Sequence, residues 1–260
     1  MSSQPIGIFD SGVGGLSIWK EIHLLLPMEP TIYLSDSKHA PYGPKGKETI
    51  IDLSIKNTEW LINQGCKLIV VACNTATTNA IKTLRQNYSI PFIGIEPAIK
   101  PAALESKSKA IGILATKGTL SSQLFHETSQ LYSSDLMVVE QVGDGIVELI
   151  ENGELCSEQM KNLLQSYLKP MLDAEIDCLV LGCTHYHFLT PILKQLLPSH
   201  VKIIDSGKAV ARQTKSILIS NTLMNTVASA DPNRFYTNGT VEVVDSLLKS
   251  ETALIKKIEF

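Results

Sequence analysis

The sequence predicts an α/β protein of two pseudo-symmetric lobes, each a mainly parallel sheet flanked by helices, with the active site in the cleft between them. Short apolar segments rich in β-branched residues alternate with longer segments of helical periodicity along the whole chain. This alternation is typical of parallel sheets covered on both faces. An internal repeat then divides the chain into two similar halves.

Strands are predicted in order along the chain wherever a short segment is almost continuously apolar. They cover residues 6–9, 31–34, 68–72, 92–95, 111–115, 136–140, 178–182 and 201–205. Helices are predicted at 15–26, 47–65 and 157–175, where apolar residues recur at helical spacing. Helices between strands indicate parallel pairing, because parallel strands require a crossover connection.

The repeat brings two cysteines into register. Ile6-Gly7-Ile8 resembles Ile111-Gly112-Ile113, and VVACNTA resembles VLGCTHY. In each copy a predicted strand ends on a cysteine, Cys73 or Cys183, and polar residues follow at a predicted helix start. Chance similarity between short strands is the alternative, and the matched cysteines argue against it.

The repeat also predicts the domain organisation. We expect a first lobe of residues 1–95 plus 208–260, and a second lobe of residues 96–207. Ligands of open α/β sheets bind outside the carboxyl ends of the strands. Both cysteines are therefore expected to face one ligand in the cleft between the lobes.

Composition excludes several classes of protein. The 260 residues are 44% apolar and 19% charged, which is typical of a globular chain rather than a disordered one. The 23 basic and 26 acidic residues leave no positive surplus for nucleic acid. The sequence shows no signal peptide and no apolar run of about 18 residues for a membrane span. We expect a cytoplasmic protein that binds neither nucleic acid nor membrane.

The five cysteines contain no C-x-x-C pair, so neither a disulfide scaffold nor a metal site is expected. Cys66, Cys156 and Cys178 lack polar neighbours in the sequence and are interpreted as inert buried thiols. Cys73 and Cys183 are each followed by polar residues. A helix beginning at such a cysteine is expected to lower the thiol pKa toward neutrality.

Two thiols that face one ligand suit racemisation or epimerisation, because one group removes a proton while the other returns one. Such chemistry often uses pyridoxal phosphate as an electron sink. The segment DSGVGG is neither a dinucleotide-binding nor a P-loop fingerprint, so no cofactor is expected. Its glycines are predicted to let the backbone approach a small ligand closely.

These motifs together identify a resemblance. DSGVGG (10–15), PYG (41–43), ACNTA (72–76) and GCTHY (182–186) occur in this order, and the match extends from residue 6 to Gly207. The chain thereby resembles the cofactor-independent glutamate racemases. The resemblance implies interconversion of L- and D-glutamate, which supplies D-glutamate for peptidoglycan in the bacterial cytoplasm.

The resemblance also implies roles for individual residues. Cys73 matches the thiol that takes the α-proton from D-glutamate, with Asp10 as its polar partner. Cys183 matches the thiol that acts on L-glutamate, with His185 as its partner. Glu151 is a possible match for a carboxylate near the second thiol. The residues matching the substrate-binding positions are Asp10, Ser11, Pro41, Tyr42, Gly43, Asn74, Thr75, Thr116, Thr119, Thr184 and His185.

Ordinary structural roles are the alternatives for several of these residues. Asp10-Ser11 could be a helix N-cap, and Tyr42-Gly43 could form a simple turn. His185 could be a core or surface histidine, and Glu151 could lie on an exposed helix face.

The sequence also departs from the family pattern in places. His187 stands where proline is usual, Ser35 precedes Asp36 where glycine is commoner, and Glu148 occupies a segment that often carries proline. These departures affect the surroundings of the site and leave both thiols in place.

Three other functions remain open from the sequence. They are racemisation of aspartate or another small acid, hydrolysis by a single cysteine, and ligand binding without catalysis. The family commonly forms dimers, so a homodimer is possible. Only a short segment precedes the first strand, so we expect activity without the cell-wall precursor that activates some relatives.

Overall fold

The structure, a computed structural model, describes residues 3–132, 135–225, 233–248 and 254–260. Its strands are β1 (Ile6–Asp10), β2 (Thr31–Ser35), β3 (Leu68–Val71), β4 (Phe92–Gly94), β5 (Ala110–Ala115), β6 (Met137–Val142), β7 (Cys178–Gly182), β8 (Lys202–Ile204), β9 (Arg234–Thr237) and β10 (Leu254–Lys257).

Helices connect these strands throughout the described chain. They are α1 (Leu16–Leu25), α2 (Lys47–Asn63), α3 (Asn74–Asn87), α4 (Ile99–Glu105), α5 (Lys117–Leu120), α6 (Gln123–Tyr132), α7 (Ile146–Glu151), α8 (Glu158–Asp173), α9 (Thr190–Leu196), α10 (Gly207–Ser220) and α11 (Val241–Leu248). Short 3-10 helices cover Ser37–His39 and Thr184–Leu189.

The strands form two parallel sheets, which confirms the predicted fold class. One sheet has six strands in the order β10-β9-β2-β1-β3-β4, and the other has four in the order β6-β5-β7-β8. We call the parts of the chain built around them the first lobe and the second lobe. The order β2-β1-β3-β4 repeats in β6-β5-β7-β8, so the repeat seen in the sequence is a repeat of strand order.

The glycines of the repeat serve close packing of a helix on each sheet. A Cβ at Gly7 of β1 would lie 3.2 Å from Leu61 Cδ1 of α2. A Cβ at Gly112 of β5 would lie 2.7 Å from Met171 Sδ of α8. Because α2 and α8 are equivalent crossover helices, the same requirement places glycine at the same point of each lobe.

Strands β9 and β10 were not predicted, although they complete the larger sheet. Only alternate residues of β9 are buried, and β10 is the exposed edge strand. Neither segment has the continuous apolar run by which the other strands were recognised. The domain boundaries after residues 95 and 207 stay a prediction, and parts of the predicted 208–260 segment lie outside the described residues.

One apolar core crosses between the two lobes. Ile8 of β1, Leu114 of β5 and Tyr186 belong to the same buried cluster. Cys66 and Cys178 are buried as predicted, but Cys156 is exposed, so its interpretation as a buried thiol is wrong. Cys156 lies in the polar loop before α8, where no core is available to cover it. Within the described residues, no helix is long and apolar enough to cross a bilayer.

A buried ion pair holds the amino ends of two strands together, at the edge of the sheet opposite Cys73. Lys67 Nζ lies 2.6 Å from Glu29 Oε2, and both side chains are 1% exposed. The other carboxylate oxygen of Glu29 accepts a hydrogen bond of 2.6 Å from the Asn225 amide.

We expect Glu29→Gln to destabilise the protein by about 3 kcal/mol, because it removes the buried carboxylate that pairs with the Lys67 charge. Urea denaturation measures the change. Asp173→Asn is the matched control, since it removes the carboxylate of an exposed pair with Lys169 and should cost at most about 0.5 kcal/mol. Equal effects of the two substitutions would contradict this account.

Candidate active site

The two predicted thiols lie at equivalent strand ends, but their local structure differs. Cys73 follows β3 and caps α3, and its Sγ accepts a hydrogen bond of 3.4 Å from the Ala76 amide. Cys183 follows β7, and a 3-10 helix rather than an α-helix comes next. A helix therefore begins after each cysteine as predicted, an α-helix at Cys73 and a 3-10 helix at Cys183.

Both thiols line a single cavity. The cavity has a volume of only about 10 Å³, which is room for about one water molecule. The predicted residues that line it are Ser11, Pro41, Tyr42, Gly43, Cys73, Asn74, Thr75, Thr116, Cys183 and His185. Val147 also lines the cavity and was missed, because an apolar residue in a helix gives no chemical signal in the sequence. Of the remaining predicted residues, Asp10, Thr119 and Glu151 are hydrogen-bonded to members of this lining, and Thr184 donates to Asp10.

A hydroxyl connects Cys73 to a buried carboxylate. Ser11 Oγ lies 3.3 Å from Cys73 Sγ and 3.5 Å from Asp10 Oδ1. Asp10 itself accepts hydrogen bonds of 2.8 Å from the Gly12 amide and from Thr184 Oγ1. Asp10 therefore reaches Cys73 through Ser11. The N-cap of α1 is Gly15, so Asp10-Ser11 does not cap that helix.

A histidine and a glutamate stand behind Cys183. His185 Nδ1 lies 3.8 Å from Cys183 Sγ, and its Nε2 lies 2.5 Å from Glu151 Oε1. Glu151 also accepts hydrogen bonds of 2.7 Å from the Val13 amide and from Ser37 Oγ. Glu151 therefore does not project from an exposed helix face. It joins the second lobe to the first.

Two glycines of DSGVGG make room for the opposite lobe. A Cβ at Gly12 would lie 2.8 Å from Glu151 Cδ, and a Cβ at Gly14 would lie 2.6 Å from Thr184 Oγ1 and would also collide with His185. The predicted close approach therefore exists, but its partner is protein.

The loop carrying Pro41, Tyr42 and Gly43 is anchored rather than free. The Tyr42 hydroxyl donates a hydrogen bond of 2.5 Å to Asp36 Oδ2 and accepts one of 3.1 Å from Asn57. Asn238 donates to the other oxygen of the same carboxylate at 2.6 Å. Asp36 is thus a positioning residue that sequence reasoning did not assign, because its partners are distant in the chain.

Threonines from both lobes bond to one another beside the thiols. Thr75 Oγ1 of α3 lies 2.7 Å from Thr116 Oγ1 and 3.3 Å from Thr119 Oγ1. Next to them, both polar atoms of the Asn74 side chain are buried without a hydrogen-bond partner among the residues that the structure describes. Such atoms carry a desolvation cost that a polar ligand would remove.

Burial changes the acidity of the groups at this site. Burial and the neighbouring Asp10 charge raise the pKa of Cys73 to about 12, although the bonds from Ser11 and Ala76 oppose this. The expectation that a helix N-terminus lowers this pKa is therefore wrong in this structure. Desolvation of the thiolate raises the pKa by more than the helix N-terminus lowers it. Burial alone lowers the pKa of His185, but its bonds to Cys183 and Glu151 raise it well above the ordinary value.

His187 points away from the thiols. Its Nε2 lies 3.9 Å from Asp205 Oδ1, and burial lowers its pKa despite the nearby Asp205 and Glu21 charges. This departure from the family pattern therefore acts on the contact with Asp205 rather than on Cys183.

Burial raises the pKa of Asp10 from 3.8 to about 6, against the opposing effects of His185, Thr184 and Gly12. Between these values the folded protein holds a proton that the unfolded chain releases, so stability falls as pH rises through this window. Asp10→Asn removes the titration. We expect the difference in unfolding free energy between this variant and the parent to shift by about 2 kcal/mol in favour of the variant from pH 4 to pH 7.

Urea denaturation at a series of pH values measures this difference. Asp52→Asn, at an exposed position of α2, is the matched control and should show no such shift. An Asp10→Asn difference that does not depend on pH would refute the cost assigned to burying the carboxylate.

Comparisons with known proteins agree with this geometry. The family model described as Asp/Glu/Hydantoin racemase matches residues 15–214. A glutamate racemase of Ralstonia pickettii is 46% identical over 231 residues, which cover 89% of this chain and 82% of that protein.

Solved structures give the same result. The glutamate racemase isoform RacE1 of Bacillus anthracis has a TM-score of 0.89 and 30% identity, covering 100% of this chain and 99% of that one. The Escherichia coli glutamate racemase in complex with L-glutamate and activator UDP-MurNAc-Ala has a TM-score of 0.86 and 33% identity, covering 98% of both chains. With its matched motifs, two repeated sheets and paired thiols, this chain belongs to the Asp/Glu/hydantoin racemase family.

Proposed function

We propose that this protein is a glutamate racemase in which Cys73 and Cys183 transfer protons on opposite faces of the α-carbon. One observation carries the proposal. Thiols from equivalent strand ends of two repeated lobes line the same small cavity. A hydrolase with a single nucleophile has no use for the second thiol, whereas racemisation requires an acid and a base on opposite sides.

In the reaction, a thiolate removes the α-proton from one face while the opposite thiol donates a proton to the other face. Reverse turnover exchanges these roles. Burial and the Asp10 charge hold Cys73 as a thiol in this structure, and His185 Nδ1 lies 3.8 Å from Cys183 Sγ. With L-glutamate, Cys183 would accept the α-proton and Cys73 would protonate the other face.

Substrate binding requires the lobes to part, because the closed cavity holds about one water molecule. Opening separates the Thr75–Thr116 contact and exposes hydroxyls from both lobes. Together with the unpartnered Asn74 side chain, these groups offer hydrogen bonds to the two carboxylates and the ammonium of glutamate. Among the described residues that line the cavity none is arginine or lysine, so His185 and neutral donors carry recognition.

The same proposal includes a cellular role. D-glutamate made in the cytoplasm would supply peptidoglycan synthesis, with glutamate as the small-molecule partner and a homodimer as the possible assembly. We include no cofactor in the mechanism.

We expect Cys73→Ala and Cys183→Ala each to abolish racemisation in both directions, because the base of one direction is the acid of the other. Circular dichroism with L- or D-glutamate measures turnover. In D2O, product from the parent protein should carry deuterium at the α-carbon while remaining substrate stays largely protiated. Near-normal racemisation by either alanine variant would exclude the two-thiol assignment.

Serine variants separate the roles of the two thiols, since a hydroxyl donates a proton but is a poorer base than thiolate. On a glutamate analogue with a good leaving group, Cys73→Ser should retain elimination from the L-enantiomer. Cys183→Ser should retain it from the D-enantiomer. If both variants process the same enantiomer, the assignment of Cys183 to L-glutamate is wrong.

Specificity gives a further test. The amide nitrogen of glutamine would face donors in the cavity and leave them unpaired, so we expect kcat/KM to fall at least about 100-fold relative to glutamate. Turnover of aspartate, measured in parallel, tests the alternative substrate. Comparable rates with glutamine would contradict recognition of a side-chain carboxylate, and a preference for aspartate would replace glutamate as the substrate.

A further inference from the structure

We propose that a cationic groove beside the thiol cavity is an outer binding site, which collects the dicarboxylate substrate before the lobes open. The inference rests on the proposed function, because it concerns how glutamate reaches the thiols. It assigns a binding role to residues outside the cavity described above.

The groove lies between the lobes and has a volume of about 820 Å³. The loop from Gly43 to Lys47 and one face of α3 form its first-lobe side, and α5 and α6 form the other. Its basic lining residues are Lys45, Lys47, Lys82, Arg85 and Lys117, and its carboxylates are Glu96 and Glu127. The groove is thus positive in a chain whose net charge is −3.

The four lysines are available to a ligand. Among the described residues, none of them takes part in an ion pair, whereas both groove carboxylates accept hydrogen bonds from neighbouring side chains. Arg85 donates to the Phe92 carbonyl at 3.2 Å and keeps further donors. A cluster of cations without counterions in a concave site attracts small anions.

The groove and the thiol cavity are adjacent, and the contact between Gly43 and Gly118 lies between them. Gly43 lines both the groove and the thiol cavity, and a Cβ at Gly118 would lie 2.9 Å from the Gly43 carbonyl oxygen. Asn79 of α3 donates a hydrogen bond of 3.0 Å to the Gly118 carbonyl across the same contact. Parting of Gly43 from Gly118 therefore connects the groove directly to Thr75 and the thiols.

A second opening near the site has the opposite character. A cavity of about 310 Å³ on the other side is lined by Glu148 and Glu151, and none of its lining residues is basic. Glutamate carries two carboxylates and a net negative charge at neutral pH. Electrostatics therefore directs it to the lysine groove and away from the glutamate-lined opening.

Protection of lysines from chemical labelling tests the outer site without requiring turnover. The probe is glutarate, a dicarboxylate that cannot be racemised, and its neutral diamide is the control ligand. We expect millimolar glutarate to slow acetylation of Lys82 and Lys117 at least about two-fold at low ionic strength. The exposed Lys161 and Lys215 are the reference sites. If glutarate changes the acetylation rate of all four lysines by the same factor, the proposal is overturned.

Kinetics provide the second arm. The double variant Lys82→Gln/Lys117→Gln should raise KM for glutamate about three-fold at low salt and leave kcat unchanged. The increase in KM should disappear near 1 M salt, where the Debye length is about 3 Å. The control Lys161→Gln/Lys215→Gln removes the same charge elsewhere and should match the parent. If the two double variants have the same KM for glutamate at low salt, the proposed role of the groove is refuted. Lysine protection in a protein that does not racemise glutamate would refute only the proposed function.

Discussion

The seam between the two lobes buries the ionisable groups Asp10, Glu151 and His185 together, and the rest of the site depends on how their charges are satisfied. A buried charge is tolerated only when it is paired and hydrogen-bonded. Three of the partners come from the opposite lobe: Val13 and Ser37 bond Glu151, and Thr184 bonds Asp10. The network that satisfies these charges is therefore also the network that closes the cleft.

This coupling explains why glycines dominate the first loop. Side chains at Gly12 and Gly14 would occupy the space taken by Glu151, Thr184 and His185. The loop thus has to present bare backbone, whose amides then become donors to carboxylates. Asp36 accepts a hydrogen bond from the Tyr42 hydroxyl and thereby holds the loop from Pro41 to Gly43 beside the thiols.

Repetition of the fold supplies two thiols, and the side chains around them remove the symmetry. Burial and the neighbouring Asp10 charge favour the protonated thiol at Cys73. Cys183 lies beside His185, whose pKa is raised by its bonds to Cys183 and Glu151. Two equivalent strand ends thereby acquire different surroundings.

The sequence alone determined the strand pattern through β8, the repeat, the paired cysteines and most of the residues that line the cavity. These features are local, since an apolar run or a motif is readable without its partners. It did not determine β9 and β10, which lack a continuous apolar run and form strands through pairing at the edge of the larger sheet. Nor did it determine the acidity of Cys73, because desolvation depends on atoms contributed by the whole fold. The tertiary structure decided that Gly12 and Gly14 of DSGVGG accommodate the opposite lobe. It also decided that Asp36 positions Tyr42 and that lysines border the site. Each of these depends on contacts between segments far apart in the chain, and no local pattern records them.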